Sequence, residues 1–318
     1  MSSKQQPPIV LLGADDDEHI EAIARELQAR GERPLLIDPR RFPRQLSVSL
    51  GAEMADIRIG DAAGLVPRSV YVRSLYTDPL GYKSNVDQSM EENWRRTSVA
   101  LNERWHVLSS LLLRWSALGS RLYNSAECAL PLTKPFQLAL LRRAGLPVPH
   151  TLWTNDPAAV QEFCAKRGDT IYKPVHGGAH TRQLEPRDLE PARLARLGAS
   201  PVCFQELLPG RNLRVYVVDE RVVCALSVES EQLDFREVEP KVTAIELGPE
   251  LERQCIEAAR CLGLRFTGMD LREDAQGRPL FLELNSSPMF LGFEQLANVK
   301  IGTFLCDALL REAAGQHQ

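Results

Sequence analysis

The segment formed by residues 266–293 constrains the fold more than any other part of the chain. Two apolar runs, residues 266–271 and 279–284, flank a polar stretch that ends at Gly277. Because glycine readily adopts the positive φ that a tight connection needs, this pattern predicts a β-hairpin.

Three oxygen-bearing side chains interrupt the hairpin: Asp270 in the first strand, Glu283 and Asn285 in the second. Side chains alternate along a strand, so Glu283 and Asn285 share a face, and pairing across the turn can bring Asp270 beside them. When two carboxylates and an amide are brought together, the carboxylates repel each other and all three groups lose hydration. A bound cation would offset both effects. The set therefore suits Mg²⁺ held jointly by protein and nucleotide phosphates. The alternative is an ordinary hairpin whose polar residues face water, since acidic residues are common in turns.

Composition narrows the classes of function. The chain has 318 residues, of which 44% are apolar and 25% charged, as in a globular protein of two or three subdomains. A net charge of −4 argues against a nucleic-acid binder with a broad basic surface. No apolar run reaches the ~20 residues of a membrane span, and residues 1–8 lack the pattern of a signal peptide. We expect a cytoplasmic protein without nucleic-acid or membrane partners.

Cysteine and histidine usage favours a reducing compartment and no zinc. The seven cysteines contain no C-x-x-C pair, and the six histidines contain no H-E-x-x-H spacing. We therefore expect free thiols and neither a disulfide framework nor a zinc site.

The N-terminal part begins with a β-α-β pattern: a strand at 9–12, a helix that ends at Gly31, and a strand at 34–38. The acidic run at 15–18 is typical of a helix N-terminus. Further strands are predicted at 46–50, 55–60, 69–73 and 121–124, and a long helix across 89–118. Arg73 ends its strand, where ligands gather in open α/β sheets, so it is a candidate substrate contact; a surface arginine is the alternative.

The middle of the chain contains candidate phosphate contacts. Helices are predicted to begin after Thr133 and after Asp156, and a strand at 170–174 carries Lys173. The glycine-rich turn His176-Gly177-Gly178 follows. Its backbone N–H groups can approach phosphate oxygens closely and Lys173 adds positive charge, although a plain hairpin turn would have the same composition.

The last third continues with strands at 201–208, 212–219 and 221–228 and a helix at 250–263. The hairpin follows, and a final helix is predicted at 299–313.

An ordered set of residues along these elements resembles that of the ATP-grasp carboxylate ligases. The set is Lys134, Lys173, Gln205-Glu206-Leu207-Leu208, Arg214, Asp270 and Glu283-x-Asn285. Asp234-Phe235-Arg236, Pro147-Val148-Pro149-His150-Thr151 and Ser287-Pro288 resemble the branch of ribosomal-protein glutamate ligases and graspetide (microviridin-type) peptide ligases.

The resemblance implies a three-domain fold of the α/β and α+β class. It comprises an N-terminal α/β pre-ATP-grasp domain at 1–125, a central lid at 126–203 and a C-terminal catalytic domain with a mixed sheet at 204–318. ATP would lie between the lid and the C-terminal sheet.

The resemblance also implies roles for individual residues. Lys134 and Lys173 would contact phosphates, and the loop with His176, Gly177 and Gly178 would fold over them. Gln205, Glu206, Leu207 and Leu208 would line the adenine. Asp270, Glu283 and Asn285 would hold two Mg²⁺ ions, which Mn²⁺ can replace. Arg214 and Arg236, with Lys173, would act on the transferring phosphoryl group or the bound carboxylate.

Three positions depart from the family pattern. Asn212 stands where an acidic residue usually contacts the ribose, and its amide can still bond the ribose hydroxyls. The loop after Lys173 lacks the usual Gly-Ser pattern. Gly268 stands where related dipeptide ligases often have an arginine, so stabilisation of the tetrahedral intermediate must fall to another group, such as Arg214 or Arg236.

The function implied is an ATP-dependent ligase. A carboxylate of a peptide or small molecule would attack the γ-phosphorus, and an amine or hydroxyl would displace phosphate from the acyl phosphate. The alternatives are phosphotransfer to an alcohol and a non-catalytic nucleotide-binding protein. Homodimers are frequent in this branch, so the resemblance also implies a homodimer.

Overall fold

The computed structural model describes residues 6–75, 94–124, 133–176, 180–229 and 241–311. Its N-terminal region is an α/β layer. The elements are β1 (Ile9–Leu12), α1 (Glu18–Ala29), β2 (Leu35–Ile37), β3 (Val48–Leu50), β4 (Ile57–Ile59), β5 (Ala62–Ala63), β6 (Ser69–Val72), α2 (Trp94–Ala117) and β7 (Arg121–Tyr123). Among these, β2-β1-β6-β7 form a parallel sheet in that order, and β3-β4-β5 form a small antiparallel sheet. The predicted β-α-β start and the predicted strand pair are confirmed.

Both faces of the parallel sheet are buried, because successive side chains in a strand point to opposite sides. Ile9 and Leu11 pack with α1, whereas Val10 and Leu12 pack with α2. Helix α1 begins after Asp17, whose Oδ1 accepts hydrogen bonds from the first backbone N–H groups of the helix. The acidic run therefore starts a helix, as predicted.

The central region is a small antiparallel sheet covered by helices on one face. Its elements are α3 (Lys134–Arg143), β8 (Thr151–Thr154), α4 (Pro157–Arg167), β9 (Thr170–Lys173), β10 (Arg182–Gln183), α5 (Pro191–Leu194) and β11 (Val202–Glu206). The described strands are ordered β10-β9-β11-β8. Val160, Leu194 and Phe204 form the core under α4 and α5. Lys173 and Cys203 are cross-strand partners one position along from this core row, so they lie on the other face.

Two details bear on the predicted domain limits. The boundary proposed between residues 203 and 204 falls inside β11, which pairs with β8 and β9 of the central sheet. Helix α3 packs on the C-terminal sheet: Leu138 and Leu141 join its core, and the Gln137 side chain bonds the backbone N–H and carbonyl of Leu284 at 2.8 and 2.9 Å.

The C-terminal region is built on a larger sheet. Its elements are β12 (Asn212–Val218), β13 (Arg221–Glu229), β14 (Lys241–Ala244), α6 (Pro249–Cys261), β15 (Phe266–Glu273), β16 (Pro279–Asn285), α7 (Leu291–Ala297) and α8 (Ile301–Leu310). The described strands are ordered β14-β13-β12-β15-β16 and pair antiparallel throughout. The expectation of a mixed sheet is therefore wrong for these strands. Tight turns join β12 to β13 and β15 to β16, and such turns suffice only for antiparallel neighbours.

This sheet is buried on both faces by different partners. Helices α6 and α3 cover one face through a core that includes Val215 and Phe281. On the other face, Phe266 and Tyr216 share a core with α1 and α8. The N-terminal layer and the C-terminal sheet are thus joined directly, and the polar residues of β15 and β16 lie beside this junction.

Candidate functional site

The predicted hairpin is β15 and β16. Gly277 has φ +76°, and the Asp274 carboxylate accepts hydrogen bonds from the N–H groups of Gln276 and Arg278, each at 2.9 Å. This side chain closes the turn and fixes the register of the two strands.

The register brings the three predicted metal ligands together. Asp270 pairs directly with Glu283. The register shifts immediately beyond this pair, because Leu282 is an extra residue on β16. Asn285 lies two residues on, and its Nδ2 is 3.3 Å from both Asp270 Oδ2 and Glu283 Oε1.

Cations surround these two carboxylates. Arg214 is the cross-strand partner of Asp270 on β12, and its Nη1 donates to Asp270 Oδ1 at 2.6 Å. Lys134, at the first turn of α3, forms an ion pair with Glu283. Three positive side chains, counting Lys173, thus face two negative ones, an excess that suits a polyphosphate ligand.

The electrostatics of the two carboxylates differ. Burial, together with the charge of Glu283, raises the pKa of Asp270 above its ordinary value of 3.8 despite the Arg214 guanidinium. Burial also acts to raise the pKa of Glu283, but the ammonium groups of Lys134 and Lys173 bring it below 4.5. The pair is therefore held in close repulsion, which a divalent cation would relieve.

The donor set fits a hard cation. Two carboxylates and one amide are oxygen ligands, and a half-turn of the Asn285 amide would present Oδ1 in place of Nδ2. Among the residues that the structure describes, no group of three or more His, Cys, Asp or Glu side chains is arranged to hold a metal. The assignment of Asp270, Glu283 and Asn285 as Mg²⁺ ligands remains a prediction.

Lys173 approaches this cluster from the central sheet. Its Nζ donates to Gln205 Oε1 at 3.1 Å, and Gln205 Nε2 donates to Thr151 Oγ1 at 2.8 Å. Burial lowers the pKa of Lys173, and the charges of Lys134, Glu283 and Asp270 act on it as well. The Gln205 side chain is buried, at 2% exposed. Its hydrogen bond to Lys173 therefore serves to orient the lysine toward the C-terminal sheet.

The predicted adenine contacts lie along the end of β11. Glu206 Oε1 accepts from the His150 N–H at 2.8 Å, which leaves Oε2 as the atom that could accept from an amino group. The Leu207 N–H donates to the Asp169 carbonyl at 2.9 Å, so an adenine contact from Leu207 would use its carbonyl. Leu208 is buried, and Asn212 begins β12.

Other predicted residues fall into two groups. Gly177, Gly178 and Arg236 lie outside the described residues, and His176 is exposed. Arg73, the candidate substrate contact, is bonded to other residues of the protein. Its Nε donates to Asp17 Oδ2 at 3.0 Å, and its Nη1 donates to the Ser287 carbonyl and hydroxyl, each at 2.9 Å.

The surroundings of Arg214 could not be anticipated from the sequence pattern. The guanidinium carbon lies 5.1 Å from the centre of the Tyr216 ring and 5.7 Å from that of Phe293. Gly268 lies beneath it, on the row of β15 that also contains Phe266 and Asp270. The family pattern has a side chain at position 268, and in this chain the Arg214 guanidinium occupies that space.

A groove of about 770 Å³ lies on the other side of the central sheet, next to β10. It is lined by Tyr172, which packs with the core under α4 and α5, and by four arginines and three acidic side chains. None of its lining residues belongs to the cluster around Asp270.

Comparison with known proteins identifies the relatives of this arrangement. Residues 200–309 match the family of RimK-like ATP-grasp domains. The chain is 26% identical over 188 residues to a probable alpha-L-glutamate ligase of Legionella pneumophila (strain Corby), a match covering 55% of this chain and 62% of that protein. A probable alpha-L-glutamate ligase of Coxiella burnetii (strain Dugway 5J108-111) is 28% identical over 192 residues, with the same two coverages. The chain thus spans less than two thirds of the length of these curated relatives.

Solved structures match most of the chain. The ATP-grasp ligase PsnB, complexed with a phosphomimetic variant of its minimal precursor, Mg and ADP, is 51% identical, with coverage of 96% of this chain and 98% of PsnB and a TM-score of 0.91. The macrocyclase MdnC from Microcystis aeruginosa MRC, bound with the precursor peptide MdnA, has a TM-score of 0.77 at 22% identity over 96% of this chain and 100% of MdnC, which supports the fold alone. None of the helices in the described part of the chain is long and apolar enough to cross a bilayer.

Proposed function

This chain belongs to the ATP-grasp ligases, and we propose that it activates a carboxylate with ATP and joins it to an amine or hydroxyl on a peptide substrate. The observation that carries the proposal is the convergence of Lys134, Arg214, Asp270, Glu283 and Asn285 on one sheet face, with Lys173 of the central sheet directed at it. Such a cluster can bind a nucleotide triphosphate and neutralise a transferring phosphoryl group.

The side chains divide the work between binding and orientation. Lys173 and Lys134 are compact cations suited to phosphate oxygens. The end of β11 and the two residues after it, together Gln205 to Leu208, would hold the adenine. Asp270, Glu283 and Asn285 would hold magnesium, which when bound would neutralise charge on the phosphoryl oxygens.

Arg214 orients the acid to be activated. Its Nη1 is committed to Asp270, and the planar guanidinium can still present parallel N–H groups to a carboxylate or a phosphoryl oxygen. Because Tyr216 and Phe293 flank this group, its position is set before the substrate arrives. Arg236, which lies outside the described residues, remains a predicted second cation for the same step.

The reaction proceeds in two displacements. A carboxylate oxygen attacks the γ-phosphorus and ADP leaves, giving an acyl phosphate. The amine nitrogen or hydroxyl oxygen then attacks the acyl carbon, loses its proton, and inorganic phosphate leaves. Water competes with the second nucleophile for the acyl phosphate. The central sheet, which carries Lys173, would exclude water by closing over the site.

A peptide substrate is the choice supported by the relatives. PsnB, 50% identical to this chain, was solved with minimal precursor, Mg and ADP. We propose by this similarity that the present chain takes a precursor peptide whose acidic side chains supply the carboxylate. Homodimerisation remains a prediction from the resemblance.

The test measures ADP release from ATP and Mg²⁺ with synthetic peptides that contain acidic, lysine, serine and threonine residues, including peptides encoded beside the gene. Hydroxylamine is added in parallel, because only an acyl phosphate yields a hydroxamate on the peptide. Glu283→Ala and Asp270→Asn should abolish ADP release. Glu229→Gln, which removes a carboxylate from an exposed ion pair with Lys241 on the same sheet, should not.

Three results would contradict the proposal in different ways. Full activity in Glu283→Ala or Asp270→Asn would reject the metal assignment. A phosphorylated alcohol without hydroxamate would indicate a phosphotransferase. Binding of ATP without turnover on any peptide would leave a nucleotide-binding protein.

A further inference from the structure

The segment 286–291, which directly follows Asn285, is held by side chains that come from outside β16. Asn124 Nδ2 donates to the Ser286 carbonyl, and the Tyr216 hydroxyl donates to the Met289 carbonyl at 2.5 Å. His19 Nε2 accepts from the Phe290 N–H at 3.0 Å. Asn124 and His19 belong to the N-terminal layer, so that layer fixes the backbone on both sides of Pro288.

Arg73 makes further hydrogen bonds to this segment. Its Nη1 donates to both the carbonyl and the hydroxyl of Ser287, and the Ser287 hydroxyl donates in return to the Arg73 carbonyl at 2.7 Å. Its Nε donates to Asp17, the residue that caps α1. The side chain of Arg73 is only 12% exposed. Three chain segments, namely the start of α1, the end of β6 and the loop after β16, therefore meet at one guanidinium.

The position of Asn285 depends on this loop. Asn285 is the last residue of β16, pairs with Gly268, and its carbonyl accepts from Thr267 Oγ1 at 2.9 Å. Beyond Asn285 the strand ladder ends, so the backbone on its C-terminal side is not restrained by pairing with β15. The contacts of Arg73 to Ser287, two residues on, restrain the backbone at that point instead.

We propose that Arg73 is a positioning residue for the metal-binding group: acting through Ser287, it fixes Asn285 and thereby couples the docking of the N-terminal layer to divalent-cation affinity. The inference rests on the proposed function, because it takes Asn285 as a ligand. Partners of metal ligands outside the coordination sphere change metal affinity by roughly 10- to 100-fold when removed. We expect an effect in the lower part of that range, because the Asn124 and His19 contacts remain.

The experiment compares two hydroxyl deletions at the same interface. Ser287→Ala removes the hydroxyl that donates to the Arg73 carbonyl, whereas Ser69→Ala removes a buried hydroxyl that donates to the Leu309 carbonyl at the same 2.7 Å, away from the cluster. Arg73→Lys is the second variant and retains the charge without the forked donors. Mn²⁺ binding is followed by the free-ion electron paramagnetic resonance signal with ADP at saturation, and ADP binding without metal by calorimetry.

We expect the Kd for Mn²⁺ to rise about tenfold in Ser287→Ala and in Arg73→Lys, with the metal-free Kd for ADP and the Ser69→Ala values unchanged. Wild-type Mn²⁺ affinity in both variants would overturn the inference while leaving the proposed function intact. Equal weakening in Ser69→Ala would also overturn it, since it would reflect general loosening of the interface. If the wild-type protein binds no Mn²⁺ in the presence of ADP, the proposed metal site fails and the inference fails with it.

Discussion

The Arg214 guanidinium lies directly over Gly268: a Cβ at position 268 would stand 2.6 Å from Nη2 and 2.9 Å from Cζ. The same Cβ would also stand 2.8 Å from Pro288 Cβ, so the space is closed on the far side. Arg214 itself is 7% exposed and is flanked by Tyr216 and Phe293. An arginine at 268 and the observed position of Arg214 are therefore mutually exclusive, and the two arrangements present a guanidinium from different strands.

Gly268→Ala should cost about 100-fold in the rate of ADP formation, since a displacement of a positioning group by ~1 Å can have this effect. The added methyl would push Nη2 away and break the bond from Nη1 to Asp270 at 2.6 Å. Gly292→Ala is the matched control, because a Cβ there meets nothing within 4 Å and the residue lies in α7. Activity within twofold of wild type in Gly268→Ala, with the fold verified by circular dichroism, would show that the position of Arg214 is not needed.

The sequence predicted Asp270, Glu283 and Asn285 as a group because strand periodicity and a tight turn are local features. The contacts that complete the cluster are not local. Lys134 meets Glu283 because α3 packs on the C-terminal sheet, although its sequence position suggested the central domain. The closeness of Arg214 to Gly268 required the register of β12 on β15, which no turn between them specifies.

The network around Ser287 was missed for a similar reason. Arg73 follows a strand, and this position is typical of both ligand contacts and surface residues. Its pairing with Asp17 and Ser287 could be seen only once the two layers were docked.

The final helix illustrates a local error. The prediction of one helix at 299–313 missed α7, which ends at Ala297 and is capped by Asn298 in the left-handed conformation with φ +52°. Asparagine tolerates this conformation and often terminates helices, so a signal was present.

The partly buried Lys173 should make nucleotide binding take up protons. Burial lowers its pKa below the ordinary 10.5, so a growing fraction of the side chain is neutral as the pH rises toward that value. Phosphate oxygens favour the charged form, and binding should therefore return a proton, up to about one per nucleotide. Calorimetry of ADP binding in buffers of different ionisation enthalpy, repeated from neutral to alkaline pH, measures this uptake.

Lys173→Arg separates this effect from other groups, because arginine stays charged throughout the range. Proton uptake should disappear in this variant. Lys166→Arg, at an exposed ion pair with Glu162, should leave it unchanged. The same pH-dependent uptake in Lys173→Arg as in wild type would assign the proton to another residue.

The pair between Lys134 and Glu283 should govern stability in acid. Burial tends to raise the pKa of Glu283, but Lys134 and Lys173 hold it below 4.5, so ionised Glu283 contributes stability that is present above its unfolded pKa. That contribution is lost as the pH falls through the lower, folded value. In Lys134→Met the pKa of Glu283 should rise, so the loss of stability on acidification should begin at a higher pH. Urea unfolding between neutral and acid pH measures this loss of stability. Lys166→Met is the control, because the exposed ion pair of Lys166 with Glu162 is screened by solvent. Parallel stability curves for wild type and Lys134→Met would mean that Lys134 does not set the ionisation of this carboxylate, because a removed partner charge must displace the transition of the group it stabilised.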